Sequence, residues 1–167
     1  MVTLTLRKAD KADIPFIMAT ERMPGYDRFL GSFEEAEHLR LIGDASWAYF
    51  VATDESGSSV GFAILNDLDN RDGNVCLKRL AMRDAGQGFG TAMLPALLSW
   101  IFEETSTHRF WLNVVNYNAR GLSLYRRAGF VEEGVKRQSA LLADGSRADL
   151  VMMSILRPEW ETGNTGS

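Results

Sequence analysis

A strand-length run, Val75 to Met82, leads into the turn Ala85-Gly86-Gln87-Gly88-Phe89-Gly90-Thr91, and a helical pattern follows directly. Three glycines at alternate positions leave successive backbone N–H groups free of side-chain cover. The helix start adds unpaired donors and the positive end of its dipole, so the junction is suited to hold a phosphate or pyrophosphate. The same stretch constrains topology. Strand, turn, helix and a further strand at Phe110 to Val115 make a crossover, so the two strands should run parallel. Leu94, Leu97, Leu98, Ile101 and Phe102 fix the helix, because they follow the i, i+3, i+4, i+7, i+8 spacing of a core-facing surface. Pro95, just beyond its first turn, should remove one backbone hydrogen bond.

Two better-known glycine motifs are excluded by spacing. A dinucleotide fingerprint needs glycines at i, i+2 and i+5, but counting from Gly86 or Gly88 puts Thr91 or Met93 in the last place. A Walker loop needs a lysine after its glycines, and none follows here. A nucleotide-binding domain is therefore disfavoured.

At 167 residues the chain can bury one substantial core, and no Pro/Gly/Ser-rich stretch divides it. We read residues 1–158 as a single domain and 159–167 as a polar, poorly ordered tail. With 46% apolar and 24% charged residues the chain should fold by itself. A net charge of -4 gives no general attraction to nucleic acid or to anionic membranes. The one cysteine, Cys76, lies in an apolar strand, which excludes an internal disulfide and suits the reducing cytoplasm. His38 and His108 lack metal-type spacing and companion ligands, so no metal site is expected.

The remaining elements follow in order. Thr3 to Lys8 alternates as a strand, and Asp13 is the better cap for a helix carrying Pro15 in its first turn and Ile14, Ile17 and Met18 on one face. Met23 to Gly31 is irregular yet carries Tyr26, Asp27, Arg28 and Phe29, which could line a pocket. Ser32 and Glu35 read as a capping box for a second helix ending at Gly43. Trp47 to Thr53, Val60 to Leu68 and Val75 to Met82 form an antiparallel meander. Asn118 to Ala128 is a helix closed by Gly129, and two strands, Val131 to Leu142 and Arg147 to Leu156, flank a turn with an Asp-Gly pair.

This order of elements resembles the GCN5-related N-acetyltransferase (GNAT) superfamily over nearly the whole chain. Two signatures carry the resemblance. Gly88-Phe89-Gly90 after the strand end Leu80-Ala81-Met82 is similar to the acetyl-CoA motif, with Ala85 in place of its Arg or Gln. Asn118, Gly121, Leu124, Tyr125, Gly129 and Phe130 are similar to the second motif, with Gly121 in place of its Ala. Leu77-Lys78-Arg79-Leu80 and the ending Asp149, Met152, Met153 look most like the branch of ribosomal-protein alanine and small-molecule amine acetyltransferases.

The resemblance implies an α/β fold: a mixed sheet of about seven strands, mostly antiparallel, with a parallel pair splayed between strands 4 and 5 and four flanking helices. It implies an acetyl-CoA-dependent N-acetyltransferase acting on a primary amine, either a small molecule or a protein N-terminus, and a homodimer is compatible with it. Cofactor contacts are implied at Leu80, Ala81, Met82, Gly86, Gln87, Gly88, Phe89, Gly90, Thr91, Asn113, Asn118 and Tyr125. A backbone N–H near Leu80 or Met82 would polarise the thioester carbonyl, Asn118 would hold the pantetheine arm, and Tyr125 would be the general acid beside the sulfur. Many relatives place a glutamate on the fourth strand, but Val75 to Met82 has no carboxylate. Glu21, Asp27, Asp149 or a water chain remain as the base, and a non-catalytic acyl-CoA sensor remains the rival reading.

Overall fold

The computed structural model describes residues 2–165. Its centre is a seven-stranded sheet in the order β1-β2-β3-β4-β5-β7-β6. The strands are β1 Thr5–Lys8, β2 Ala48–Thr53, β3 Ser59–Asn66, β4 Asn74–Met82, β5 Arg109–Val115, β6 Val131–Leu141 and β7 Arg147–Leu156. Only β4 and β5 pair in parallel, and only through Asn74↔Arg109, Val75↔Phe110 and Cys76↔Trp111. Beyond those three pairs the strands part, so the sheet splays where the crossover predicts a parallel pair.

The helices are α1 Ile14–Glu21, α2 Glu35–Ile42, α3 Phe89–Glu104, α4 Ala119–Arg127 and α5 Arg157–Thr165. On one sheet face α3 buries Met93, Leu94, Leu97, Leu98, Ile101 and Phe102 against Phe50, Leu65, Leu77 and Phe110. The other face holds a smaller cluster of Ile17, Leu41, Tyr49, Val51, Phe62, Ile64 and Ala81 under α1 and α2. None of the described helices is long and apolar enough to cross a membrane.

Three expectations are corrected. Asp13 does not cap α1 with its side chain. It forms a bidentate pair with Arg7 at 2.8 Å and 2.8 Å and accepts the Asp10 N–H, while Asp10 caps the short 3-10 turn Lys11–Asp13. The planar guanidinium fork competes better for that carboxylate than a lone backbone N–H. Ser32 and Glu35 form no capping box, since Glu34 is the N-cap residue of α2 and its side chain accepts no capping hydrogen bond. The chain before it is held extended, with the Phe33 N–H on Glu21 and the Phe33 carbonyl on Arg22.

The third correction is the tail, which is helical to Thr165 and makes a fifth helix. Trp160 stacks on Phe102 with ring centroids 5.3 Å apart, and the Arg157 guanidinium donates to the carbonyls of Phe102, Thr105 and Thr107. It thereby satisfies acceptors at the end of α3 that the helix itself leaves unpaired. The expectation for 166–167 lies outside the described residues.

Candidate active site

The splay between β4 and β5 opens into a cavity of about 820 Å³. Beyond Cys76, β4 has no partner on its β5 side, so the N–H and C=O groups pointing away from β3 are left for a ligand. Leu80, Asn113, Asn118 and Tyr125 all line this space, although they come from β4, β5 and α4. Ala81 points the other way, into the smaller core cluster, and can offer only its backbone. The Met82 carbonyl is taken by the Tyr26 hydroxyl.

Asn118 is the N-cap residue of α4, its Oδ1 accepting the Gly121 N–H at 2.9 Å. The side-chain amide nitrogen has no acceptor among the described residues and is a free donor in the cavity lining. Gly121 is explained by the same contact: a Cβ there would lie 2.6 Å from Asn118 Nδ2, so a methyl would displace the cap. Tyr125, half-buried, packs edge-on to Phe130 at 5.5 Å, and its hydroxyl has no hydrogen-bond partner among the described residues. Burial pushes its pKa well above the usual phenol value, so it is protonated at neutral pH.

The glycine turn lies outside the cavity lining, at the exposed start of α3. Gly86 and Gly88 adopt φ of 80° and 81°, which a residue with a Cβ reaches only with strain. Gly88 is the N-cap residue, no side chain caps the helix, and the first backbone bond across this end is Ala92 N–H to the Gly88 carbonyl at 3.2 Å. The N–H groups of Phe89, Gly90 and Thr91 precede it and are available to an anion. At Gly90 the start of α3 meets α4, where a Cβ would stand 3.3 Å from Leu124. Gln87 is exposed, and the Phe89 ring faces a separate recess beside Asp54, Glu55 and Ser56.

The loop after α1 roofs the cavity. Besides the Tyr26 anchor on β4, the Tyr117 hydroxyl donates to the Arg28 carbonyl, and Phe29 lies 5.8 Å from the Tyr117 ring. Tyr26 is thus a clamp, and Asp27 is the loop residue left lining the cavity without an ion-pair partner among the described residues.

Of the three candidate bases, Asp149 is on β7, accepts the Gln138 N–H at 2.7 Å and does not line the cavity. Glu21 does line it but is 2% exposed and fully engaged. It contacts His38 Nε2 at 2.8 Å, Arg22 at 2.7 Å, Arg79 at 3.3 Å and the Phe33 N–H at 3.3 Å, and His38 Nδ1 continues to the Tyr49 hydroxyl at 2.8 Å. Burial works to raise the Glu21 pKa, but the hydrogen bond from His38 and the electrostatic influence of His38 and of the Arg79 guanidinium outweigh it and hold the group below its ordinary value of 4.5. A carboxylate so satisfied is a poor base. Sequence reading missed this network, whose links through His38, Tyr49 and Arg79 join residues 11 to 58 positions apart.

A depressed folded-state pKa stabilises the fold above the unfolded value of 4.5, a contribution lost as pH falls through the folded value. Glu21→Gln should therefore cost about 1.5–3 kcal/mol at neutral pH, the worth of a hydrogen bond to a charged group, and flatten the acid limb of stability. Denaturant titrations at pH 7 and pH 3 check this; an equal loss at both pH values would contradict it.

Cys76, 6% exposed, is an inert packing thiol, pushed up to about 12 by burial. No cluster of three or more His, Cys, Asp or Glu gathers as a metal site among the described residues.

The model of the family described as "Acetyltransferase (GNAT) domain" matches residues 3–131. YdaF of Bacillus subtilis (strain 168), provisionally described as a ribosomal N-acetyltransferase, is 34% identical over 107 residues, 63% of this chain and 57% of that protein. The chain thus spans little more than half the length of that relative. Spermidine N(1)-acetyltransferase of Vibrio cholerae serotype O1 is 26% identical over 166 residues, 94% of this chain and 95% of that protein. The crystal structure of spermidine N-acetyltransferase from Vibrio cholerae in complex with CoA and spermine superposes with a TM-score of 0.84 at 24% identity, covering 95% of this chain and 98% of that one.

Proposed function

The chain belongs to the acetyltransferase (GNAT) family, whose members move an acetyl group from acetyl-CoA to an amine, and we propose that this protein does so to a small primary amine held under the loop after α1. The observation that carries the reading is the cavity in the β4–β5 gap, whose lining joins Asn118 and Tyr125 with Asp27 of the loop after α1. Acetyl-CoA fits the residues present: exposed N–H groups at the start of α3 for its pyrophosphate, the free Asn118 amide for an amide of its pantetheine arm, and unpaired β4 backbone beside the thioester.

The chemistry divides among the chain's own groups. Asp27 attracts the ammonium form of the acceptor and takes up a proton, directly or through water, so that a neutral amine is available. The β4 backbone left unpaired by the splay polarises the thioester carbonyl. As the new N–C bond forms and the C–S bond breaks, Tyr125 stands ready to donate to the departing sulfur. The ammonium gives up two protons: one passes through Asp27 to solvent and the other replaces the proton that Tyr125 gives to sulfur, so the products are the amide, the free CoA thiol and one released proton. A relative described as a spermidine N(1)-acetyltransferase lends weight to a small amine as the acceptor.

Mixing the protein with acetyl-CoA and a panel of primary amines, and following free thiol, tests the reading. Thiol release that depends on an amine supports it; tight CoA binding with no release in any mixture would favour an acyl-CoA sensor. Asp27→Asn should raise the acceptor KM about tenfold while CoA affinity stays the same. An unchanged KM would reduce the loop to a connector.

A further inference from the structure

We propose that the acceptor is a zwitterion, a small amine that also bears a carboxylate, with its ammonium held by Asp27 and its carboxylate by Lys78. This rests on the amine-acetyltransferase reading above and specifies its substrate class.

Five charged side chains line the cavity: Glu21, Arg22, Asp27, Lys78 and Arg79. Three of them close on one another, because Glu21 pairs with both arginines and Arg22 reaches on to Glu34 at 3.6 Å. Arg79 is further fixed over the Phe33 ring, 3.9 Å from its centroid. Lys78 and Asp27 are left, each without a hydrogen bond or ion pair to another described residue. The cavity therefore offers one free positive and one free negative charge.

Lys78 is placed there by backbone irregularity. The β3–β4 register runs Ile64↔Arg79 and then Leu65↔Leu77, so Lys78 is the additional residue of a β-bulge. A bulge re-aims its side chain, and this one lies just past the point where β4 parts from β5. Asn66, also in the lining and paired with Cys76 of β4, has a buried Oδ1 with no hydrogen-bond partner among the described residues. It calls for an N–H or O–H donor from whatever fills the space.

A polyamine suits this charge pattern poorly. It would bring several ammonium groups to one free carboxylate and set them beside an unpaired lysine. An amino acid matches it charge for charge. Met23, Phe29, Leu30, Trp111, Leu141 and Leu142 in the lining would receive an apolar side chain.

The test compares phenylalanine, phenethylamine, which lacks only the carboxylate, and spermidine, using thiol release and calorimetric binding to CoA-loaded protein. The wild type should favour phenylalanine over both amines by about tenfold or more in kcat/KM. Lys78→Glu should cut the phenylalanine-to-phenethylamine ratio by about tenfold or more, with Lys78→Met falling between. A wild-type ratio near one, a preference for spermidine, or a ratio unmoved in Lys78→Glu would overturn the proposal. Turnover of the two amines but not of phenylalanine would remove the zwitterion and leave acetyl transfer standing. No turnover and no binding of any of the three would remove both.

Discussion

Replacing Gly88 and Gly90 together with valine is expected to lower CoA affinity at least about 100-fold in a protein that still folds. Gly88 holds φ at 81°, where a side chain costs about 1–2 kcal/mol, against the roughly 5–15 kcal/mol that keeps a domain folded. A Cβ at Gly88 would lie 3.2 Å from Val2, and one at Gly90 3.3 Å from Leu124. Both contacts are with side-chain methyls, so the neighbours can shift. What does not survive is the anion cradle, since the valines push side chains over the N–H groups at the start of α3. Losing two charge-assisted hydrogen bonds of about 1.5–3 kcal/mol each accounts for the expected loss. Calorimetric titration of CoA measures it, with near-ultraviolet circular dichroism reporting the fold. Native-like spectra with wild-type affinity would move the pyrophosphate site elsewhere.

Ala85 sharpens that experiment. The resemblance places an Arg or Gln at this position, and here it contributes no hydrogen bond, so the backbone donors carry more of the binding. Arg120, in the first turn of α4, is close enough to lower the Tyr26 phenol pKa, although burial has the larger, opposite effect. It is the cation to remove next if the glycine variants retain part of the affinity.

What could be read from the residues was whatever depends on local periodicity. The face of α3, the crossover to β5, the meander and the helix that begins at Asn118 all rest on spacings of a few residues, and each appears in the structure. Features requiring a partner from elsewhere in the chain stayed hidden. Asp13 looked like a cap because Arg7's reach across the turn is a tertiary fact. The tail looked merely polar because the value of Trp160 and Arg157 depends on Phe102 and the end of α3 lying beneath them. Lys78 read as an ordinary strand residue, since a bulge exists only relative to β3. Glu21, a plausible base by type and position, is ruled poor by His38 and Arg79, neither of which its sequence neighbourhood predicts.

Tyr125→Phe should lower kcat by about 10- to 1000-fold and leave CoA affinity little changed, as expected when a positioned acid is lost. The hydroxyl makes no bond to another described residue, so its removal costs the fold little, while the ring keeps its edge-on contact with Phe130. A thiol ionises near pH 8.5 and a free phenol near 10, so complete proton transfer to the thiolate is already uphill by about 2 kcal/mol in water. Burial raises the Tyr125 pKa further, which makes full transfer harder but keeps the phenol protonated and able to donate a hydrogen bond as charge gathers on sulfur. The wild-type rate should therefore show no loss attributable to Tyr125 ionisation as pH rises through the ordinary phenol range. The measurement is single-turnover kinetics, in which chemistry limits the rate, across a pH series for both proteins. Equal rates would make Tyr125 a packing residue. A wild-type activity that falls with an apparent pKa near 10, and a variant in which that fall is absent, would instead show an ordinary phenol acting as the acid, contradicting the burial argument.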